Sequence, residues 1–111
     1  MLIGTIKETT KDENRVATTP DTEKKLTSDG IQFIIEKNAG LAAGFTDEQY
    51  VLNGAEICDS PQQICANCNI LFKIWAPSHQ ECTWLSNSPL VIADFRRADK
   101  FLCQTFRAFA L

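Results

Sequence analysis

Arg15 and Lys73 are the two cationic side chains whose settings in this sequence suit ligand binding. Arg15 stands in the run Glu13-Asn14-Arg15-Val16-Ala17, just before Thr19-Pro20. Its planar guanidinium can grip both oxygens of a carboxylate, so Arg15 reads either as a carboxylate clamp or as a loop charge, solvated or paired with Glu13 or Asp12. Lys73 stands near the end of the apolar stretch from Asn69 to Ile74. Open α/β sheets bind ligands at the carboxyl ends of their strands, which makes Lys73 a ligand-site candidate or a charge capping the sheet rim. Lys7 and Glu8, which close the first apolar run, carry the same two readings. A further constellation is Cys65-Ala66-Asn67-Cys68, with His79 and Cys82 behind it. Thiolates and an imidazole can close a tetrahedral zinc site, while the same residues also suit three small apolar thiols in a core and one surface imidazole. As a redox pair the motif is poorly placed, because Cys65 follows a helical stretch and lacks the helix N-terminus that lowers a thiol pKa. No metal ligand is assigned.

These residues need elements to hold them. Leu2 to Ile6 is a short apolar run closed by charge, as in a buried parallel strand. Thr19 as N-cap and Pro20 at the first helical position open a helix that Gly30 ends, and Ile31 to Ile35 reads as the next strand. Thr46 to Leu52 predicts a capped helix stopped by Asn53-Gly54, followed by a brief strand over Ala55 to Ile57. Ser60-Pro61 starts another helix through Ile64, and Asn69 to Ile74 is a third apolar strand ending at Ala76-Pro77. The remainder predicts a helix over Ser78 to Leu85, a strand over Leu90 to Ala93 and a final helix over Asp99 to Ala110, rich in large apolar groups from Phe101 to Leu111. Strands alternating with helices imply a parallel sheet with right-handed crossovers. The predicted fold class is α/β, a partial Rossmann-like (flavodoxin-like) parallel sheet with helices on both faces. A sheet of this extent leaves one edge and part of one face uncovered.

Bulk properties narrow the function classes. A chain of 111 residues fits one domain, and its 44% hydrophobic and 23% charged residues are those of a sequence that folds. A net charge of −3 and a pI near 5.0 give no basic face for nucleic acid. No apolar run approaches the roughly 20 residues that span a bilayer. Met1-Leu2-Ile3-Gly4 lacks the marks of a signal peptide, so a cytoplasmic location is expected. The five cysteines, Cys58, Cys65, Cys68, Cys82 and Cys103, are odd in number and are expected as reduced thiols.

Ile3-Gly4-Thr5-Ile6-Lys7-Glu8, followed by Glu13-Asn14-Arg15-Val16-Ala17-Thr18-Thr19-Pro20, resembles the opening of the alanine dehydrogenase and NAD(P) transhydrogenase alpha-subunit family. Gly30, Ala39-Gly40, Gly54-Ala55-Glu56-Ile57 and Leu71-Phe72-Lys73-Ile74-Trp75-Ala76-Pro77 follow in the family's order. The resemblance implies that residues 1–111 are a single, truncated N-terminal domain, with the nucleotide-binding domain absent. It implies a parent activity of hydride transfer between NADH and NADP, coupled in the complete enzyme to proton movement by separate membrane parts. NAD would be the cofactor of the complete enzyme. Arg15 matches the arginine that binds the substrate carboxylate in alanine dehydrogenases, and Lys73 is the second substrate-binding residue that the resemblance suggests. Two departures tell against alanine chemistry: Trp75 stands where those enzymes place a catalytic lysine, and Arg96 and Arg97 where they place a histidine. The Lys73 to Pro77 block is closer to the transhydrogenase form. Ile6 replaces the family's usual proline.

No residue is assigned a catalytic or cofactor-binding role. The sequence has no GxGxxG turn, and Gly40 and Gly44 read as loop glycines. The expectation is a homologue that is inactive alone, binds no cofactor by itself and is completed by a second chain carrying the nucleotide-binding domain; homo-oligomerisation is left open, and direct membrane insertion is not expected. Two other classes stay open, a non-catalytic interaction module that docks through the sheet edge and the terminal helix, and a small zinc-binding domain.

Overall fold

The computed structural model describes residues 1–85 and 89–94 in full and residues 107–110 through their backbone. Six strands form one parallel sheet: β1 (Leu2–Thr5), β2 (Gln32–Glu36), β3 (Glu56–Cys58), β4 (Ile70–Trp75), β5 (Leu90–Asp94) and β6 (Arg107–Ala110), in the order β3-β2-β1-β4-β5-β6. Among the described residues four α-helices lie between them, α1 (Pro20–Thr27), α2 (Asp47–Leu52), α3 (Pro61–Asn67) and α4 (His79–Trp84), with a short 3₁₀ helix over Leu41–Ala43. The expected α/β fold with helices on both faces is therefore what forms.

Local chemistry sets the helix starts. Thr19 accepts a hydrogen bond from the Thr22 N–H, with Pro20 supplying a first residue that needs no partner for its nitrogen. Thr46 with Gln49, and Ser78 with Glu81, close reciprocal capping boxes at α2 and α4. Ser60 and Pro61 start α3 in the same manner as Thr19 and Pro20 start α1.

The apolar residues sort by face, as a parallel sheet covered on both sides requires. On one face Ile64 of α3 and Leu85 at the end of α4 pack with Ile6, Ile34, Leu71 and Val91. On the opposite face, covered by α1 and α2, Tyr50 of α2 packs with Ile3, Val16, Phe33 and Ile35. Gly4 lets α3 sit directly on β1, because a Cβ there would lie 2.7 Å from Ile64 Cγ2 and 3.0 Å from Cys68 Cβ.

Two expectations are corrected. Arg107–Ala110, the end of the predicted final helix, is a strand that pairs in parallel with β5, Val91 opposite Ala108 and Ile92 opposite Phe109. A short apolar run does not distinguish helix from strand by periodicity, and the open hydrogen-bonding edge of β5 decides it here. The rest of that predicted helix, residues 99–106, lies outside the described residues, as do Arg96, Arg97 and Cys103. Helix α3 also runs on to Asn67, so Cys65 lies within it rather than after it.

Candidate functional site

From β1 the chain winds outward through β2 and β3 on one side and through β4, β5 and β6 on the other. The crevice beyond the carboxyl ends of β1 and β4 is the switch point, where doubly wound sheets bind ligands. Glu8, three residues past the end of β1, and Lys73 on β4 meet there, with Lys73 Nζ 3.1 Å from Glu8 Oε1 and 3.5 Å from Glu81 Oε1. Both side chains of the Glu8–Lys73 pair are 2% exposed. The pairing of β4 with β5 shifts register between Phe72 and Trp75. At that irregularity the Ile74 N–H donates to Glu8 Oε2 (2.9 Å) and the Trp75 N–H to Glu8 Oε1 (3.2 Å). Glu81 reaches the cluster from α4 while closing the Ser78 capping box. Lys73 is thus a buried cation between two carboxylates rather than a rim charge.

A second polar group lies on the loop after β1. The Glu13 carboxylate receives Arg15 Nε (3.0 Å), Arg15 Nη2 (2.8 Å), the Arg15 backbone N–H (2.8 Å) and Trp75 Nε1 (2.9 Å). The Arg15 side chain is 70% exposed, yet its Nε–Nη2 fork is already engaged by Glu13. Of the two readings of Arg15, the pair with Glu13 is the one that the geometry shows. Trp75 joins the two groups, its backbone held by the partner of Lys73 and its indole by the partner of Arg15.

Hydrogen bonds from Arg15, with a smaller contribution from Trp75, hold the Glu13 carboxyl down at about 2 against their partial offset by burial. A depressed carboxyl stabilises the fold above its ordinary value of 4.5 and loses that contribution as pH falls through about 2. Arg15→Ala is accordingly expected to return the Glu13 titration most of the way to the ordinary carboxylate range, read from its ¹³C carboxyl shift against pH. A midpoint unchanged in the variant would show that the Trp75 indole and the backbone N–H of residue 15 hold the carboxylate without the guanidinium.

Sequence reasoning located Lys73, Arg15 and, as one of two possible partners of Arg15, Glu13, but not the enclosure of Lys73 by Glu8 and Glu81. Glu8 was legible only as half of the Lys7-Glu8 pair, and Glu81 was not singled out. Beside the buried cluster a cavity of about 110 Å³ opens among Lys7, Glu36, Pro61, Ser78, Glu81 and Trp84. Burial raises the Glu36 carboxyl, and the Lys7 N–H donates to it at 2.8 Å. That space is well below the roughly 300 Å³ at which small-molecule pockets begin.

The β1–α1 connection does not suit a nucleotide pyrophosphate. Residues 6–19 contain no glycine, Pro20 offers no N–H, and Thr19 already caps the Thr22 N–H. Asp21 adds negative charge to the first turn of α1. A phosphate cradle needs the opposite on each count. Nor do the thiols gather as ligands. Cys65, Cys68 and Cys82 are buried, and burial pushes the first two up to about 12 and about 11, against the thiolate form that zinc requires. Among the described residues no group of three or more His, Cys, Asp or Glu side chains could hold a metal ion.

Fold and crevice together define a doubly wound α/β domain with a buried ion cluster at its switch point and no nucleotide cradle in its first turn. The chain belongs to the alanine dehydrogenase/PNT N-terminal domain family, whose profile matches residues 4–106. It is 33% identical over 91 residues to alanine dehydrogenase 1 of Staphylococcus aureus strain Mu50, covering 82% of this chain and 24% of that protein. Among solved structures, an L-alanine dehydrogenase superposes with a TM-score of 0.80 at 30% identity, over 85% of this chain and 26% of that one. A transhydrogenase from Sinorhizobium meliloti gives 0.78 at 29% identity, over 84% and 27%. The chain therefore spans about a quarter of the length of these relatives. The two branches fit the backbone nearly equally well.

Proposed function

We propose that residues 1–111 serve as the non-nucleotide half of a pyridine-nucleotide oxidoreductase of the transhydrogenase type, working in the cytoplasm and transferring no hydride alone. The complete enzyme would pass hydride between NADH and NADP, with the nucleotides held by a domain outside these residues, on the same or a second polypeptide. The observation that carries this reading is the Trp75–Glu13–Arg15 arrangement. An indole occupies the position of the alanine branch's lysine, and its N–H and the arginine fork converge on one internal carboxylate. A carboxylate substrate would have to displace Glu13 to use that fork, at the cost of a charge-assisted hydrogen-bonded pair. Among the described residues no helix is long and apolar enough to cross a membrane.

The test is isolation of the chain from its native cell, identification of co-purifying chains by mass spectrometry and assay of the purified material. The expected result is a partner with a Gly-rich nucleotide turn, and hydride transfer from NADH to an NADP analogue only when both are present. Oxidation of NADH by this chain alone, with pyruvate and ammonium as acceptors, would overturn the proposal.

A second reading, a docking module without catalysis, rests on the outer side of α2, where Val51 is 53% and Leu52 86% exposed beside the edge strand β3. A strictly monomeric chain in sedimentation at high concentration would count against it.

A further inference from the structure

Glu23 is fully buried in α1, and neither of its carboxylate oxygens has a hydrogen-bond partner among the described residues. A charged carboxylate in such a place costs several kcal/mol, and groups so placed give up the charge instead. Its surroundings offer no counter-charge. From α2 it faces Tyr50, whose hydroxyl also feels Asp47. On this face β2 contributes the apolar Phe33 and Ile35. Ahead of β3 stands Ala55, whose N–H gives the one favourable influence on the carboxylate but is engaged by the Tyr50 carbonyl oxygen at 3.1 Å. The lysines of α1 itself, Lys24 and Lys25, are exposed.

The same junction fixes the loop that bears Arg15. The Tyr50 hydroxyl donates to the Thr18 carbonyl oxygen at 2.7 Å, and Asn53 Nδ2 donates to the Pro20 carbonyl oxygen at 3.0 Å. Thr18 is tied from below as well, its hydroxyl 2.6 Å from that of Thr5 on β1. The backbone from Thr18 to Pro20 is therefore bolted to α2 in the immediate neighbourhood of the orphaned carboxyl.

We propose that Glu23 is a proton-operated latch: α1 seats on α2 only while the carboxyl is uncharged, and loss of its proton to solvent lifts α1 and releases the Arg15 loop from the crevice. Burial places the Glu23 carboxyl at about 7, above its ordinary 4.5. The carboxyl binds its proton more tightly in the seated state. Its contribution is therefore complete below the ordinary value and is lost as pH rises through about 7. No residue of the ion cluster at the crevice takes part, so the latch stands independently of the proposed oxidoreductase role.

Hydrogen exchange on the full chain at pH 6 and pH 8.5, corrected for intrinsic rates, tests the latch. Protection of the amides of α1 and of Thr18 is expected to fall about ten-fold or more at the higher pH. Glu23→Gln should remove that dependence, and Asp21→Asn, at an exposed carboxylate of the same helix, should keep it. Equal protection at both pH values in the native chain, or an unchanged dependence in Glu23→Gln, would overturn the proposal. Should Glu23→Gln fail to fold, the ¹³C carboxyl titration of Glu23 in the native chain decides. A midpoint near 7 coinciding with the loss of protection upholds the latch, and one near 4.5 removes it.

Discussion

Replacing Lys73 with methionine is expected to cost the domain about 3–5 kcal/mol, the loss found when one member of a buried ion pair is removed. Methionine keeps most of the length and the apolar contacts of the stem, so the effect isolates the charge. Without the ammonium, Glu8 and Glu81 face each other as buried carboxylates at the mouth of the crevice. Glu8 keeps its two backbone donors, Ile74 N–H and Trp75 N–H, which places the cost short of an unsupported charge. Domains of this size are stable by about 5–15 kcal/mol, so the variant lies near the edge of folding. Lys73→Met combined with Glu8→Gln and Glu81→Gln is expected to recover much of the loss, because neutral amides are cheaper to bury than unpaired carboxylates. Urea midpoints at constant slope measure both. A single variant that loses less than about 1 kcal/mol would show that the cluster is solvated and that Lys73 is a rim charge after all.

The second large effect is expected at Gly4. The close seat of α3 on β1 leaves no room for a methyl group, since the new Cβ would meet Ile64 Cγ2 at 2.7 Å and Cys68 Cβ at 3.0 Å. Gly4→Ala should therefore cost about 2–3 kcal/mol, at the upper end of overpacking effects, because both obstacles belong to a fixed helix–strand contact. Gly4 lies in the middle of β1, which pairs with β2 on one side and β4 on the other, so backbone retreat is blocked. Ile64→Ala removes the nearest obstacle, and the double variant is expected to lose less than the sum of the singles. Additive losses would mean that β1 shifts instead of clashing with α3.

Much of the architecture was legible because its signals are local. Proline after a Thr or Ser cap opens α1 and α3, a Thr46 cap opens α2, and apolar runs between them give the inner strands. The final strand was not, because Arg107-Ala108-Phe109-Ala110 has too few residues to show a period, and its identity depends on the free edge of β5. The site divides in the same way. Arg15 and Glu13 are two residues apart, so their pairing could be posed as one of two readings. Glu8 and Lys73 are separated by 65 positions and meet only because β1 and β4 are sheet neighbours. Trp75 was visible as a departure from the family pattern, but its indole bond to Glu13 needs the loop in place. Nothing in the sequence signalled that Glu23 would be buried without a hydrogen-bond partner among the described residues.

Among the described residues the domain supplies a crevice and an ion cluster but no turn suited to a nucleotide pyrophosphate. Calorimetric titration of NADH and NAD⁺ into the folded chain tests it most directly. No saturable heat is expected up to about 1 mM nucleotide, because the β1–α1 connection has no glycine turn and its helix opens with a proline and an acid. Stoichiometric binding with a Kd of about 10 µM or tighter would contradict it and place a nucleotide site within these residues.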